Sequence, residues 1–537
     1  MAVSRDASDS IRSTPVFIVG GGPVGLAMAL LLHRFDIDCV VAEKSLATTN
    51  HPKSRGCFPR TMELFRQWGV EDAIRARGLP DESDVFAFVE SVGGKVYGRS
   101  RPEPNTGLTP AWKCLVAQDA VEEEIFGVLK NSHHARVLFS TECVSFKESA
   151  AGVEVRVRAV ATGEEQEWHA QYLVAADGAG SQTRRSAEIE MVGPAVLAVM
   201  ANEYWRGDLS QFPIVRDTAG FFIVPSDPRL PFSSILNTNG RDRWLTLFTT
   251  DPEKPRTESE LVDLVRAQTG VPKLGVELIS RSVWRMSRQV AAQFRRGRVF
   301  LAGDAGHRFP PTGGYGLNTG VQDAHNLAWK LAFVIKGLAS ERLLDTYDTE
   351  RRPIAESNAD FSLGNSFRIP MVVEAIRRGN PDEIAFRIND MDNHIHSVGQ
   401  SLGFSYERGG VIPDGTIARP LDPRTYHPSD RPGGRFPHLW LDLARQHSTL
   451  DWFDQEFVIV AGPLGIEWLE AGRRVSEKLS IPIGVRTLPL PNPHDGILMG
   501  MRGAVLVRPD GHVAWRMPWL PSDPEKELAI ALSTLLH

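Results

Sequence analysis

Gly20-Gly21-Gly22-Pro23-Val24-Gly25 sets glycines at the G-x-G-x-x-G spacing, which suits the holding of a pyrophosphate against bare backbone. Gly20 permits a tight turn, Gly22 lets the backbone approach the phosphates, and Gly25 allows a helix to pack closely on a strand. Pro23 and Val24 then fall in the first helical turn, where free N–H groups and the positive dipole end attract anions. Glu43 follows at about the 20-residue distance expected of a carboxylate that accepts ribose hydroxyls, with Lys44 beside it. NAD(P) and FAD are served equally by this set.

These residues need a strand, a turn and a helix in that order. Pro15 to Val19 is a short β-branched run, Leu26 to Leu32 is apolar, and Cys39 to Ala42 reads as a second strand ending at Glu43. Farther on, Tyr172 to Ala176 runs into Asp177-Gly178-Ala179-Gly180-Ser181-Gln182-Thr183-Arg184. The run Arg298 to Leu301 leads into Gly303-Asp304-Ala305-Gly306-His307. Pro310-Pro311-Thr312-Gly313-Gly314-Tyr315-Gly316-Leu317-Asn318 comes next, before a helical stretch from Gly320 to Lys336.

Together these segments resemble the three fingerprints of the class A flavoprotein aromatic hydroxylases, the group of phenol, para-hydroxybenzoate and dichlorophenol hydroxylases. The resemblance runs from about Val16 to Pro353 and implies FAD as cofactor, with NADPH or NADH as a transient reductant. Asp304 would accept hydrogen bonds from ribityl hydroxyls, and Gly316, Leu317 and Asn318 would open a helix whose N–H groups face the flavin N1 and C2 oxygen. Pro310 and Pro311 stiffen the loop beside the reacting face. Arg55, in His51-Pro52-Lys53-Ser54-Arg55-Gly56-Cys57-Phe58-Pro59-Arg60-Thr61-Met62-Glu63, and Gln118 match residues beside the flavin. Asp177, Gly178 and Arg184 match a segment that meets both FAD and NAD(P)H. No second G-x-G-x-x-G follows a strand, which agrees with a nicotinamide that docks on the flavin domain.

The resemblance implies hydroxylation of a phenol-like ring through a flavin C4a-hydroperoxide, so the cofactor carries the chemistry. No catalytic base is identified; Pro311 and Arg55 are the candidates nearest the reacting ring. His307, in the Gly-Asp-Ala-x-His turn, is read as structural, as is Tyr347 to Pro353. Arg60 and Glu63, three apart on a helix, are read as an exposed surface pair.

The expected fold is α/β: a Rossmann-like FAD-binding domain with an inserted substrate-domain sheet and a thioredoxin-like C-terminal domain. The FAD-binding domain takes residues 13–187 and 288–403, the latter with a helical connection; the substrate sheet takes 188–287, and the C-terminal domain 404–537. Within the insert, Thr257 and Glu260 are spaced as a capping box, with Gly270 as the helix stop. Tyr204, Phe222 and Trp244 are its candidate substrate contacts. At the end of the chain, Gly433-Gly434-Arg435-Phe436-Pro437-His438 and Gly503 to Arg516 resemble the C-terminal domain of larger family members, with a turn at Pro509-Asp510-Gly511. No cysteine lies there, so its role is packing or subunit assembly, with a homo-oligomer as the product.

Composition agrees. The 537 residues exceed one core, and a net charge of -6 with 23% charged residues argues against a nucleic-acid surface. Cys39, Cys57, Cys114 and Cys143 form no C-x-x-C pair, so neither a disulfide framework nor a metal site is expected, and a cytoplasmic setting is. The first dozen residues read as a mobile arm, and no signal peptide or membrane span is expected. The expected partners are therefore a small aromatic substrate, dioxygen and NAD(P)H, in aromatic degradation or natural-product tailoring; the excess of arginine over lysine fits a soil bacterium. Two alternatives remain: a Baeyer–Villiger-type oxygenation on the same fold, and a non-catalytic flavin-binding scaffold. A flavin halogenase is disfavoured by the missing Trp-x-Trp-x-Ile-Pro segment.

Overall fold

Parallel pairing brings the sequence motifs to one edge of a sheet. The Arg12–Val19 strand lies between Glu165–Ala175 and Cys39–Ala42; Val299–Leu301 and Ala135–Leu138 extend the sheet on either side, all in parallel. Their near-continuous apolar runs suit strands covered on both faces, and Val16, Phe17 and Ile18 are fully buried. Strands running the same way end on the same side, so Gly20, Glu43, Asp177 and Gly303-Asp304 emerge together, where open α/β sheets bind ligands. Helix α1 (Pro23–Arg34) leaves the first turn, and α2 (Pro59–Gln67) follows the Arg55–Cys57 strand. The computed structural model describes residues 12–489 and 496–537; residues 1–11 of the arm read from the sequence lie outside the described residues.

The second sheet has seven strands in the order Glu277–Met286, Ala198–Arg206, Arg243–Thr249, Ser233–Asn237, Gly220–Ile223, Phe86–Val89 and Val96–Arg99. It is not the contiguous 188–287 insert expected from the sequence: its last two strands come from the first segment, and Phe86–Val89 pairs in parallel with Gly220–Ile223. One face packs on α3 (Glu258–Thr269), which has the anticipated Thr257–Glu260 capping box and a left-handed Gly270 at its end. The other face turns to the flavin-binding domain, where His51 Nδ1 meets Ser280 Oγ at 2.7 Å.

The chain then returns through α4 (Tyr315–Ile335) and α5 (Arg342–Ser366) to α6 (Arg368–Arg378) and α7 (Pro381–Asp390), which cap the aromatic end of the second sheet at Phe88 and Phe222. The thioredoxin-like domain has a four-stranded sheet in the order Ile483–Thr487, Phe457–Ala461, Ala504–Val507, Val513–Met517, with α8 (Ile466–Leu479) and α9 (Pro524–Leu536). Among the described residues no helix is long and apolar enough to cross a membrane.

Candidate functional site

The crevice is built around the turn after the first strand. Gly20 N donates to Ala42 O at 2.9 Å and Ala176 N to Val19 O at 2.8 Å, closing the turn against both neighbours. Gly20 has φ 105°, and a Cβ there would lie 2.3 Å from Ala176 O, so only glycine fits. A Cβ on Gly25 would lie 1.9 Å from Gly20 O, whereas one on Gly22 would meet nothing within 4 Å. That open space at the α1 N-terminus is where a diphosphate can sit. Pro23 begins α1, and the side chain of Val24 packs against Gly303 and Gly320, joining α1 to the Gly-Asp turn and α4. Glu43 is fixed by two backbone donors, Gly21 N to Oε2 at 2.7 Å and Ser45 N to Oε1 at 2.8 Å, and each oxygen keeps a second lone pair. Lys44 is exposed beside it.

Whether these residues fit FAD is answered by polar groups that the protein leaves unsatisfied. Asp304 keeps an exposed side chain on the crevice wall, with protein packed around the turn that carries it. Burial pushes its carboxyl above the usual range, offset by His307, Lys53 and Arg308. Asp177 accepts from Thr183 N through Oδ2 at 3.0 Å, while its buried Oδ1 has no partner; Gly178 follows with φ 76° in the same turn. The Nε atoms of Arg184 and Arg308 are also buried and unpartnered, and burial together with mutual repulsion lowers the pKa of Arg184. Acceptors for hydroxyls, donors for phosphates and an open glycine cradle are the chemistry of a bound dinucleotide.

At the ring end, the exposed Pro311 and left-handed Gly314 lead into α4, whose first N–H groups, at Tyr315, Gly316 and Leu317, have no partner inside the helix. A Cβ on Gly316 would come 3.8 Å from Asp304 Oδ1, so the Gly-Asp turn and the α4 N-terminus share one crevice. Asn318 also acts through its side chain, which accepts from Phe58 N at 2.8 Å and donates to Gly56 O at 3.1 Å. Arg55 reaches from the first segment to the second sheet, and its buried Nε has no partner among the described residues. Its Nη1 donates to Asn237 O at 2.8 Å and to Ala219 O, and its guanidinium covers Phe86, clasping the second sheet. Burial lowers its pKa to about 10, so it stays charged at neutral pH. Gln118 Nε2 is committed to Glu122 Oε1 at 2.7 Å. His307 is fully buried with Nε2 2.7 Å from Asp323 Oδ2, behind the crevice wall.

Strand register sorts the substrate candidates. Tyr204 pairs with Leu245 and Ser280, Leu245 with Leu236, and Leu236 with Gly220, defining one row on the inner face. The segment from His51 to Arg55 crosses beneath that row: His51 lies edge-on to Tyr204 and Arg55 lies under Phe86. Two residues along, the next inner row contains Asn202, Leu247, Ser234 and Phe222. Phe222 is buried, stacked on Phe88 at 4.7 Å and covered by α6, so it borders the open part of the row. Trp244 is a correction: it lies on the opposite face, 0% exposed in the core against α3, and donates to Gly207 O at 2.9 Å. Alternation with period two along a strand separates the faces, but only the pairing shows which face meets the flavin. Sequence reasoning missed Asn202, Ser234, Leu247 and Trp284, whose Nε1 donates to Asn202 Oδ1 at 2.9 Å. His51 was also missed as a titratable group; burial and Lys53 lower its pKa, and its Nε2 has no partner.

Residues 13–362 match the family model described as an FAD binding domain, and residues 429–537 match that of the aromatic-ring hydroxylase C-terminal region. The chain is 33% identical to the tetracenomycin A2 monooxygenase-dioxygenase of Streptomyces glaucescens, covering 98% of this chain and 97% of that one. It is 34% identical to the 4-methyl-5-nitrocatechol 5-monooxygenase of a Burkholderia species, over 97% of each. The flavin-dependent monooxygenase PieE, solved in complex with FAD and substrate, superposes with a TM-score of 0.91 at 28% identity, covering 98% of this chain and 99% of that one.

Proposed function

The chain belongs to the FAD-binding aromatic-ring hydroxylase family, and from that membership we propose that it hydroxylates a phenolic ring within a flat, fused-ring molecule. It is an FAD-dependent aromatic monooxygenase with NAD(P)H as reductant. The observation that supports a fused-ring substrate is a strip of half-buried side chains on the inner face, from Ser234 and Leu236 through Leu247 to Met200, Ser282 and Trp284. The strip crosses four neighbouring strands. Three inter-strand spacings are about 14 Å, more than a single benzene ring fills. Among the relatives, one is named for tetracenomycin A2 and another for a nitrocatechol, so the family admits both sizes.

Bound FAD supplies the activation of dioxygen. The protein's own part is placement. The Gly22 cradle would hold the diphosphate, Asp304 and Glu43 would accept hydroxyls, and the α4 N-terminus would offer its N–H groups to the flavin ring. The second sheet closes over the ring end and keeps water out. His51, kept neutral and tied to Ser280, is the base we assign to the phenol proton. A cytoplasmic homo-oligomer acting on small molecules, without nucleic-acid or membrane partners, belongs to the same reading.

The test is substrate-stimulated NAD(P)H oxidation across phenol, catechols, naphthols and tetracyclic phenols, with product mass and ring skeleton determined. Stimulation and gain of one oxygen with intact rings, for fused-ring phenols, is the expected result. Coupled turnover of monocyclic phenols alone overturns the substrate class, and a ring-expanded lactone overturns hydroxylation.

A further inference from the structure

Arg60 and Glu63 are not the exposed surface pair expected from their spacing. Both are 5% exposed, and they join a buried network reaching into the C-terminal domain. Arg60 Nη2 donates to Asp510 O at 2.7 Å, and Arg435 Nε donates to Glu63 Oε2 at 2.9 Å. Asp510 belongs to the turn Arg508-Pro509-Asp510-Gly511-His512 between two strands of the thioredoxin-like sheet. Arg508 in turn forms a two-pronged pair with Glu350 of α5, at 2.8 and 2.9 Å. Several fully buried charges therefore converge on one turn.

Two branches leave that turn for the cofactor crevice. The first runs through Asp510 O to Arg60 in the first turn of α2, two residues after Phe58 and five after Arg55. The second runs through Tyr406, whose ring lies 4.5 Å from that of His512 and under the Arg508 guanidinium. Arg351 Nη1 donates to Tyr406 Oη at 3.2 Å and its Nε to Asp323 Oδ1 at 2.8 Å. The other oxygen of Asp323 accepts from Gly303 N at 3.1 Å, immediately before Asp304. One branch thus ends at the segment beneath the second sheet, and the other at the turn that presents Asp304.

We propose that the Arg508–His512 turn is a positioning element for the flavin, holding the Gly303-Asp304 turn and the Arg55–Phe58 segment in register. A buried polar network is rigid when every member is satisfied, and its geometry is lost when one link is cut. The thioredoxin-like domain then tunes cofactor placement without touching the cofactor, a role that rests on the FAD-dependent reading above. Loosening either branch lets the two crevice walls shift, weakening FAD and admitting water to the reacting face.

Tyr406→Phe removes only the hydroxyl of the second branch, and Arg60→Lys removes the fork of the first while keeping its charge. FAD affinity is read by titrating apoprotein and following flavin fluorescence, alongside melting temperature and the share of NAD(P)H electrons that appears as hydrogen peroxide with substrate present. The expected result is a roughly tenfold weaker FAD dissociation constant and a higher peroxide share, beyond any change in melting temperature. Equal FAD affinity and peroxide share in a folded variant overturn the proposal. If one variant does not fold, the other tests the same turn through its own branch. Failure of the wild-type apoprotein to bind FAD sinks the functional reading instead, and that outcome is separate because it is seen without any variant.

Discussion

The side-chain oxygen of Asn318 accepts the Phe58 N–H at 2.8 Å, and its amide nitrogen donates to Gly56 O, so one residue of α4 pins the strand that carries Arg55. Each such bond contributes about 1 kcal/mol net, and a factor of ten corresponds to about 1.4 kcal/mol. Asn318→Ala is expected to weaken FAD binding by about tenfold and to lower kcat/KM by at least as much. Asn318→Asp, which keeps the acceptor and loses the donor, should fall between. Flavin titration and steady-state rates check both.

Asp304 faces the crevice with a carboxylate that accepts no hydrogen bond from the described residues, although His307, Lys53 and Arg308 lie near enough to favour its charge. Charge-assisted hydrogen bonds are worth about 1.5–3 kcal/mol each, so Asp304→Ala should raise the FAD dissociation constant by roughly 10- to 100-fold, with Asp304→Asn recovering part. Because burial raises the carboxyl's pKa, it takes up a proton at a higher pH than an ordinary carboxylate. Protonation removes the negative acceptor, so FAD affinity should fall on acidification in the wild type and less in Asp304→Asn. An FAD titration across pH that shows parallel curves for the two proteins would refute this role.

What was legible in the sequence is what neighbouring residues encode. The glycine spacing, the strand Cys39–Ala42 leading to Glu43 and the Thr257–Glu260 capping box depend on contacts a few residues apart. What was not legible depends on pairing between distant segments. Trp244 and Leu245 are equally apolar, and only register against Tyr204 and Trp205 decides which faces the flavin. Phe86–Val89 joins the second sheet across more than a hundred residues of sequence, and Arg60 is buried because a turn 450 residues later covers it. The side-chain partners of Asn318, Phe58 N and Gly56 O, likewise lie in a segment that no local pattern connects to it.

The two faces of the second sheet predict opposite phenotypes. Trp244→Phe removes the indole donor to Gly207 O inside the core, so it should lower the melting temperature by several degrees while KM stays unchanged. Leu247→Trp, on the inner row, should change KM for a fused-ring substrate severalfold with FAD content and melting temperature nearly intact. A KM change from Trp244→Phe without loss of stability would contradict the assignment of faces.

Glu203 supplies a pH test of the packing against α3. Its side chain is buried on the face opposite the flavin, with Arg281 Nε at 3.3 Å from its carboxylate. Burial pushes its pKa up to about 7, more than Arg281 and Arg256 pull it down. An acid whose folded-state pKa is raised binds a proton in the folded chain where the unfolded chain has lost it. Between about pH 4.5, near the unfolded value, and pH 7 the folded state therefore holds the extra proton, and stability falls as pH rises through this window. Above it the buried carboxylate is charged and its cost is constant. Glu203→Gln removes the titration while keeping the shape, so it should raise the melting temperature by a few degrees at pH 8 and change it little at pH 5. Thermal unfolding of both proteins at the two pH values decides this, and a difference of equal size at both would show that Glu203 does not titrate in that window.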